Sequence, residues 1–260
     1  MGIINVTPDS FSDGGRLPSP EAAVAFGLRL RDEGADILDV GGESTRPGAE
    51  EVPVDVELSR VIPVIEKLRR EDKGVLLSVD TSKPEVAAAA LAAGADMVND
   101  VTAGGAPGML EAVAGAGAGV VLMHMRGTPR TMQLDTQYTE IVAEVHSFLG
   151  ARAAAAVAAG VAPQRVWLDP GIGFGKDVEG NLRLLAAAGD LAALGHPIVV
   201  GASRKSFIGA LTGAGVADRL PGSLAALVAV AAVERVVVRV HDVAATVQFL
   251  VTLAALRGVA

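Results

Sequence analysis

Asp80, Asn99 and Asp169 each close a short apolar run, and together they supply two carboxylates and an amide. Acceptors of that kind suit a planar heterocycle whose amidine-like N–H edge lies beside a carbonyl, and Lys205 is available for that carbonyl. Arg46, Arg239 and His241 form a second, cationic set that calls for an anion, most naturally a phosphate or diphosphate. Any single Asp after an apolar run is ordinarily a helix cap or a turn former. Here, however, every apolar run ends in polar residues: Asn5, Asp39, Asp80, Asn99-Asp100, His124, Asp169, Ser203-Arg204-Lys205, and Arg239 with His241.

Three loops add to this picture. The polar, Gly-flanked stretch Asn5 to Gly15 follows the apolar run Gly2 to Val6 directly, the position in which a parallel α/β protein keeps its chemistry. Asp169-Pro-Gly-Ile-Gly-Phe-Gly-Lys176 lacks both the Lys-Ser/Thr ending of a P-loop and the acidic follow-up of a dinucleotide fingerprint. Its glycines instead keep the loop low so that a flat ligand reaches Asp169, with Phe174 as an apolar wall. Ser203 to Ser206 opens a helix, and a carboxylate fits near Ser206 at its positive end. The four histidines are scattered and there is no cysteine, so no zinc site is built; magnesium held partly by Asn5 and partly by substrate phosphate oxygens fits the composition.

Something must hold these residues in one place. β-rich runs recur at Gly2–Val6, Ile37–Val40, Val75–Asp80, Met97–Asp100, Val120–His124, Val166–Asp169, Ile198–Gly201 and Val236–His241. Ala- and Leu-rich segments of helical spacing lie between them, including 20–33, 55–70, 84–93, 141–159 and 222–233. Eight strand–helix units predict a (β/α)₈ TIM barrel; a doubly wound sheet also alternates but usually stops at five or six strands. Gly34 and Gly94 sit where helix C-caps belong, and no linker divides residues 1–260, so a single domain is expected. A net charge of −8 argues against nucleic acid as a partner. The sequence also shows neither a long unbroken apolar run nor a secretory leader, which leads to the expectation of a cytoplasmic protein without membrane contact.

With those residues in place, the chain resembles the dihydropteroate synthases of folate biosynthesis. The shared motifs are Asn5 to Gly15, Asp39-Val-Gly-Gly-Glu-Ser-Thr-Arg-Pro-Gly48, Ser78-Val-Asp-Thr81 with Lys83, Asn99-Asp-Val101, Met123-His-Met125, Asp169 to Lys176, Ser203 to Phe207 and Arg239-Val-His-Asp242. The resemblance implies transfer of a dihydropterinylmethyl group from its diphosphate ester to p-aminobenzoate, with Mg²⁺, by a homodimer. It further implies that Asp80, Asn99, Asp169 and Lys205 bind the pterin, with Arg239 stacked on its face and Met123 among the substrate-binding residues. Asn5, Thr45, Arg46, Arg239 and His241 would hold the diphosphate, Asn5 also ligating the metal. Phe11, Asp13, Phe174, Lys205 and Ser206 would surround the reaction centre and p-aminobenzoate, with Asp13, Lys205 and Arg46 carrying the chemistry. The chain departs from the family at Val233-Glu234-Arg235-Val236, where a Gly-Ala turn is usual. A methyltransferase barrel acting on methyltetrahydrofolate would share the pterin acceptors but not need the cationic set. A silent pterin-binding paralogue would show damage in the segments Asn5 to Gly15 and Gly41 to Gly48, and both are intact here.

Overall fold

The computed structural model describes residues 1–7, 19–46 and 48–258. Eight strands appear in it: β1 (Gly2–Asn5), β2 (Ile37–Gly41), β3 (Leu76–Asp80), β4 (Met97–Asp100), β5 (Gly119–Met123), β6 (Val166–Asp169), β7 (Ile198–Val200) and β8 (Val236–Val238). Each coincides with a run foreseen in the sequence. The α-helices are α1 (Pro20–Asp32), α2 (Val54–Glu71), α3 (Pro84–Ala92), α4 (Met109–Gly115), α5 (Ile141–Ala158), α6 (Val178–Ala186), α7 (Ala188–Ala192), α8 (Ser206–Thr212), α9 (Leu220–Leu227) and α10 (Val243–Gly258). The strands pair in parallel in the order β1 to β8. Gly2 then bridges Val240, and the Val240 N–H donates to the Met1 carbonyl at 2.9 Å, so the sheet closes into a TIM barrel.

Local chemistry explains the phasing. Ser19 caps α1 through its Oγ, which accepts the Ala22 N–H, and Pro20 opens that helix; Pro84 opens α3, and the Asp177 carboxylate caps α6. Gly34 and Gly94 follow α1 and α3 with φ of +102° and +112°, the left-handed C-cap conformation expected of them. The predicted helix 222–233 is shorter, because after Leu227 the Val-rich stretch breaks into turns closed by bonds such as Val230 N–H to the Leu227 carbonyl. In the turn that lacks the family's glycine, Arg235 itself takes the left-handed conformation, at φ +55°. The predicted strand 236–241 ends at Val238, where the chain exchanges β7 as partner for β1.

Alternation along each strand sorts the side chains. Ile4, Leu38, Val40, Leu77, Val79, Val98, Val120, Leu122, Val166 and Leu168 face outward and join the helices in the main core. Met1, Ile37, Met97, Val121, Val199, Trp167 and Val237 form a second, separate cluster that fills the barrel interior. Two residues beyond Ile37, Met97, Val121, Trp167 and Val237 come Asp39, Asn99, Met123, Asp169 and Arg239. The interior is thus apolar at its floor and mostly polar at its mouth. α5 is the one described helix with the length and apolarity of a membrane span; here Ile141, Val145, Leu149, Ala153 and Ala156 bury one stripe of it against the barrel.

Candidate active site

Strand register places the acceptors. Asn5 pairs with Gly41, Gly41 with Asp80, and Asp80 with Asn99, making one ring across β1 to β4; Asp39 pairs with Ser78 and lies one inward step deeper. The Asp39 Oδ2 accepts from the Asn99 amide at 3.0 Å and from Arg239 Nε at 2.6 Å, while Asp80 Oδ2 accepts from Arg239 Nη2 at 2.7 Å. The second oxygens, Asp39 Oδ1 and Asp80 Oδ1, are buried without a partner among the described residues. Buried acceptors left open in this way are where ligand N–H groups belong. Burial raises the Asp80 pKa against the pull of Arg239, and Asp39 and Glu57 push it the same way as burial. For Arg239, burial opposes the charge, but Asp39 and Asp80 outweigh it and the pKa rises.

Asp169 ends β6 opposite Met123, the apolar neighbour at the tip of β5. Its Oδ1 accepts the Gly171 N–H at 2.6 Å, and burial, ahead of that bond, raises its pKa. Gly171, Gly173 and Gly175 all have positive φ. Gly171 packs so closely that a Cβ there would stand 2.0 Å from the His124 carbonyl oxygen. The loop is pinned from beneath by Lys176, a buried ammonium that donates to the His124 and Phe174 carbonyls at 3.2 and 2.7 Å. Burial lowers the Lys176 pKa to about 7, with Asp169 opposing. Above the loop, Lys205 Nζ lies 3.9 Å from the Phe174 ring centroid, a cation–π contact that joins wall and ammonium. Burial, then Arg239, lowers the Lys205 pKa to about 8, against Asp169 and Asp80.

The anion-binding set assembles differently from the sequence-based expectation. Arg239 is not a free cation on the diphosphate side; its guanidinium spans Asp39 and Asp80 inside the barrel, because inward-facing positions of β2, β3 and β8 converge there. His241 is not cationic near neutrality: burial, then Arg239 and Arg204, hold its pKa at about 4. Its Nδ1 lies 3.0 Å from Ser203 Oγ. Arg46 is exposed, Thr45 is half-buried beside it, and Ser206 opens α8 at the surface. Phe11 and Asp13 lie outside the described residues. His124, polar in sequence, points away from the site and stacks edge-on against Phe148 at 4.9 Å, with a pKa lowered by burial to about 3.

The loop bearing Thr45 and Arg46 is anchored. Lys83 bridges Glu43 in that loop and the fully buried Glu57 of α2, at 2.6 Å for the latter, and Arg60 donates to the Gly42 carbonyl at 2.7 Å. Asp39, Lys176, Lys83 and Ser203 were therefore under-read in the sequence. Alternation along Ile37-Leu-Asp39-Val-Gly41 was a usable signal for Asp39; the contacts that place the other three, an ion pair for Lys83, backbone carbonyls for Lys176 and His241 for Ser203, leave no local pattern.

The oxygens suit a hard cation. A Cβ at Gly41 would stand 3.7 Å from Asp80 Oδ2 and 3.8 Å from Asn5 Oδ1, so both oxygens border one gap kept open by glycine. Among the described residues no three His, Asp or Glu side chains gather as a ready-made metal set. A metal there would draw most of its ligands from water and substrate, as Mg²⁺ does.

A closed barrel with inward carboxylates, an amide and an ammonium at its mouth is the architecture of the pterin-binding enzymes, and the chain belongs to that family, whose description, "Pterin binding enzyme", matches residues 1–241. Within it, the Dihydropteroate synthase of Escherichia coli (strain K12) is 48% identical over 248 residues, covering 95% of this chain and 88% of that protein. Xanthomonas albilineans Dihydropteroate synthase with 4-aminobenzoic acid superposes with a TM-score of 0.92 at 54% identity, covering 99% of this chain and 92% of the other. The same organism's enzyme in complex with 7,8-dihydropteroate gives a TM-score of 0.87 at 51% identity over 99% and 92% of the two chains.

Proposed function

We infer that this chain is a transferase that condenses 6-hydroxymethyl-7,8-dihydropterin diphosphate with p-aminobenzoate to give 7,8-dihydropteroate and diphosphate. The observation that carries this reading is the set of open acceptors at the barrel mouth, Asp39 Oδ1 and Asp80 Oδ1, facing the same interior as Asn99 and Asp169. These match the donor edge of a pterin, while Lys205 supplies a donor for its carbonyl. Relatives bound to 4-aminobenzoic acid and to 7,8-dihydropteroate support both ends of the reaction.

The residues divide the work. Asp39, Asp80, Asn99 and Asp169 orient the pterin, and Met123 and Phe174 wall it. Thr45, Arg46 and His241 donate to the diphosphate, whose departure leaves a cationic methylene that the electron-rich dihydropterin delocalises. Asn5, across the Gly41 gap from Asp80, would hold Mg²⁺, which when bound neutralises charge developing on the leaving group. Departure precedes attack, in an SN1-like path. The weakly basic arylamine needs little activation, and Phe174, Lys205 and Ser206 border its place. Asp13 and Phe11, in the sequence that follows β1, are the remaining members of the set, with Asp13 assigned to stabilise the cation. Asp13→Ala is expected to lower turnover sharply while calorimetry shows dihydropterin diphosphate binding nearly intact; equal loss of both would end that assignment.

Soluble small molecules are the partners, in the cytoplasm, with neither nucleic acid nor membrane involved. A homodimer through the last helices is supported by the exposed apolar side chains Leu211, Val216, Val228, Val251 and Leu256 and is checked by light scattering. The deciding experiment incubates purified protein with the pterin diphosphate, p-aminobenzoate and Mg²⁺ and seeks dihydropteroate by mass spectrometry. Absence of product would favour a silent pterin-binding protein.

A further inference from the structure

Two cross-links of the same span, 38 residues, tie the loop after β7 to the loop after β8. In one, Arg204 donates from Nε to Asp242 Oδ2 at 2.9 Å, and its guanidinium fork also engages the other carboxylate oxygen. In the other, Ser203 Oγ meets His241 Nδ1 at 3.0 Å and also accepts the His241 backbone N–H at 3.3 Å. Arg204 takes a left-handed φ of +57°, and its own N–H donates to Ser223 Oγ at 2.9 Å, so the turn presenting Ser203 is held from several sides.

Ser203 is buried, so its hydroxyl proton needs an acceptor within the protein. The backbone N–H of His241 points at the oxygen and offers none. Nδ1 of the same histidine is the acceptor that the hydrogen bonds of Ser203 provide. If Nδ1 carried a hydrogen, two N–H groups would converge on the oxygen and the buried hydroxyl proton would be stranded. We propose that Ser203 is a positioning residue that fixes His241 as the neutral Nε2–H tautomer, so that a neutral, fixed N–H donor, rather than an imidazolium, meets the diphosphate. This rests on the diphosphate-binding reading of His241 given above. The charged groups around the ring agree with it: Arg239, Arg204 and Lys205 disfavour a further positive charge, and Asp242, the one carboxylate among them, is already engaged by Arg204. A donor that needs no proton from solvent keeps its grip across the neutral range, and it leaves the departing diphosphate unprotonated by the histidine.

The test is nitrogen-15 NMR of the imidazole side chains, with a His241→Asn variant identifying the His241 signals among the four histidines of the chain. The expected spectrum has hydrogen on Nε2 and none on Nδ1, unchanged from pH 5.5 to 8. In Ser203→Ala the tautomers should mix, and the dissociation constant for inorganic diphosphate, measured with Mg²⁺ by calorimetry, should rise about 5- to 10-fold. Ser203→Thr should restore both, and Asp242→Asn should leave the tautomer unchanged. An Nδ1–H tautomer, an imidazolium at pH 7, or an unaltered tautomer in Ser203→Ala would overturn the inference, and the wild-type spectrum decides it even if the alanine variant does not fold. The expected tautomer without any dihydropteroate formation would instead remove the transferase reading and leave the Ser203–His241 pair standing.

Discussion

Asp169 loses its hydration on burial, and the one backbone hydrogen bond from Gly171 opposes the loss without outweighing it, so its pKa rises in the ligand-free protein. Such a carboxylate is held ready at the expense of stability. Asp169→Asn keeps an oxygen for Gly171 but turns an N–H₂ group toward the donors of the pterin. The expected outcome is an unchanged or raised melting temperature by scanning calorimetry, with pterin affinity weakened about 100-fold in titration calorimetry. A lower melting temperature would mean that Asp169 serves the fold. Residues at this scale were readable where a polar type follows an apolar run, as with Asp80, Asn99 and Asp169. The pairing of Arg239 with Asp39 was not readable, because sequence gives its face but not the distance to a residue 200 positions away.

At the scale of elements, glycines separate fold from site. Gly171→Ala combines a left-handed φ with a Cβ 2.0 Å from a backbone oxygen that has no freedom to retreat. It is expected to cost at least about 3 kcal/mol in urea unfolding. In Gly41→Ala the new Cβ would meet Asp80 Cβ at 3.4 Å, an ordinary contact. That variant should unfold like wild type yet bind the pterin diphosphate more weakly, because the gap between Asn5 and Asp80 is filled. Lys83→Met should cost about 3–5 kcal/mol, since it leaves the carboxylates of Glu43 and Glu57 without their cation. Strand positions were legible because both faces of a parallel strand are buried and its apolar run is unbroken. The end of α9 was not, because the valines after Leu227 have helical spacing but weak helical preference.

For the whole molecule, eight regularly spaced runs sufficed to predict the barrel, since few other arrangements use eight successive parallel strands. Closure through Val240 was invisible, because it depends on where β8 leaves β7. The pH dependence of stability is also a property of the assembled mouth. Lys176 and Lys205 titrate near 7 and 8 in the folded chain, below the ordinary lysine value of 10.5. Between about pH 7 and 10 the unfolded chain therefore binds more protons, and stability rises with pH over that window. On the acid side, the depressed histidines His124 and His241 oppose the raised carboxylates Asp80, Asp100 and Asp169, so the alkaline limb is the clean one. Urea midpoints of the ligand-free protein should increase from pH 7 to 9.5, and Lys205→Met should flatten the increase. A decline over that range in both proteins would show that the mouth does not govern it.

Arg239 answers Asp39 and Asp80 with two N–H groups of one planar fork. It takes one oxygen of each carboxylate and leaves the other, Asp39 Oδ1 and Asp80 Oδ1, bare. Ligand and arginine can therefore hold the same two carboxylates at once, on different oxygens. The guanidinium is then a fixed template beside which an incoming donor edge is aligned, not a rival that it must displace.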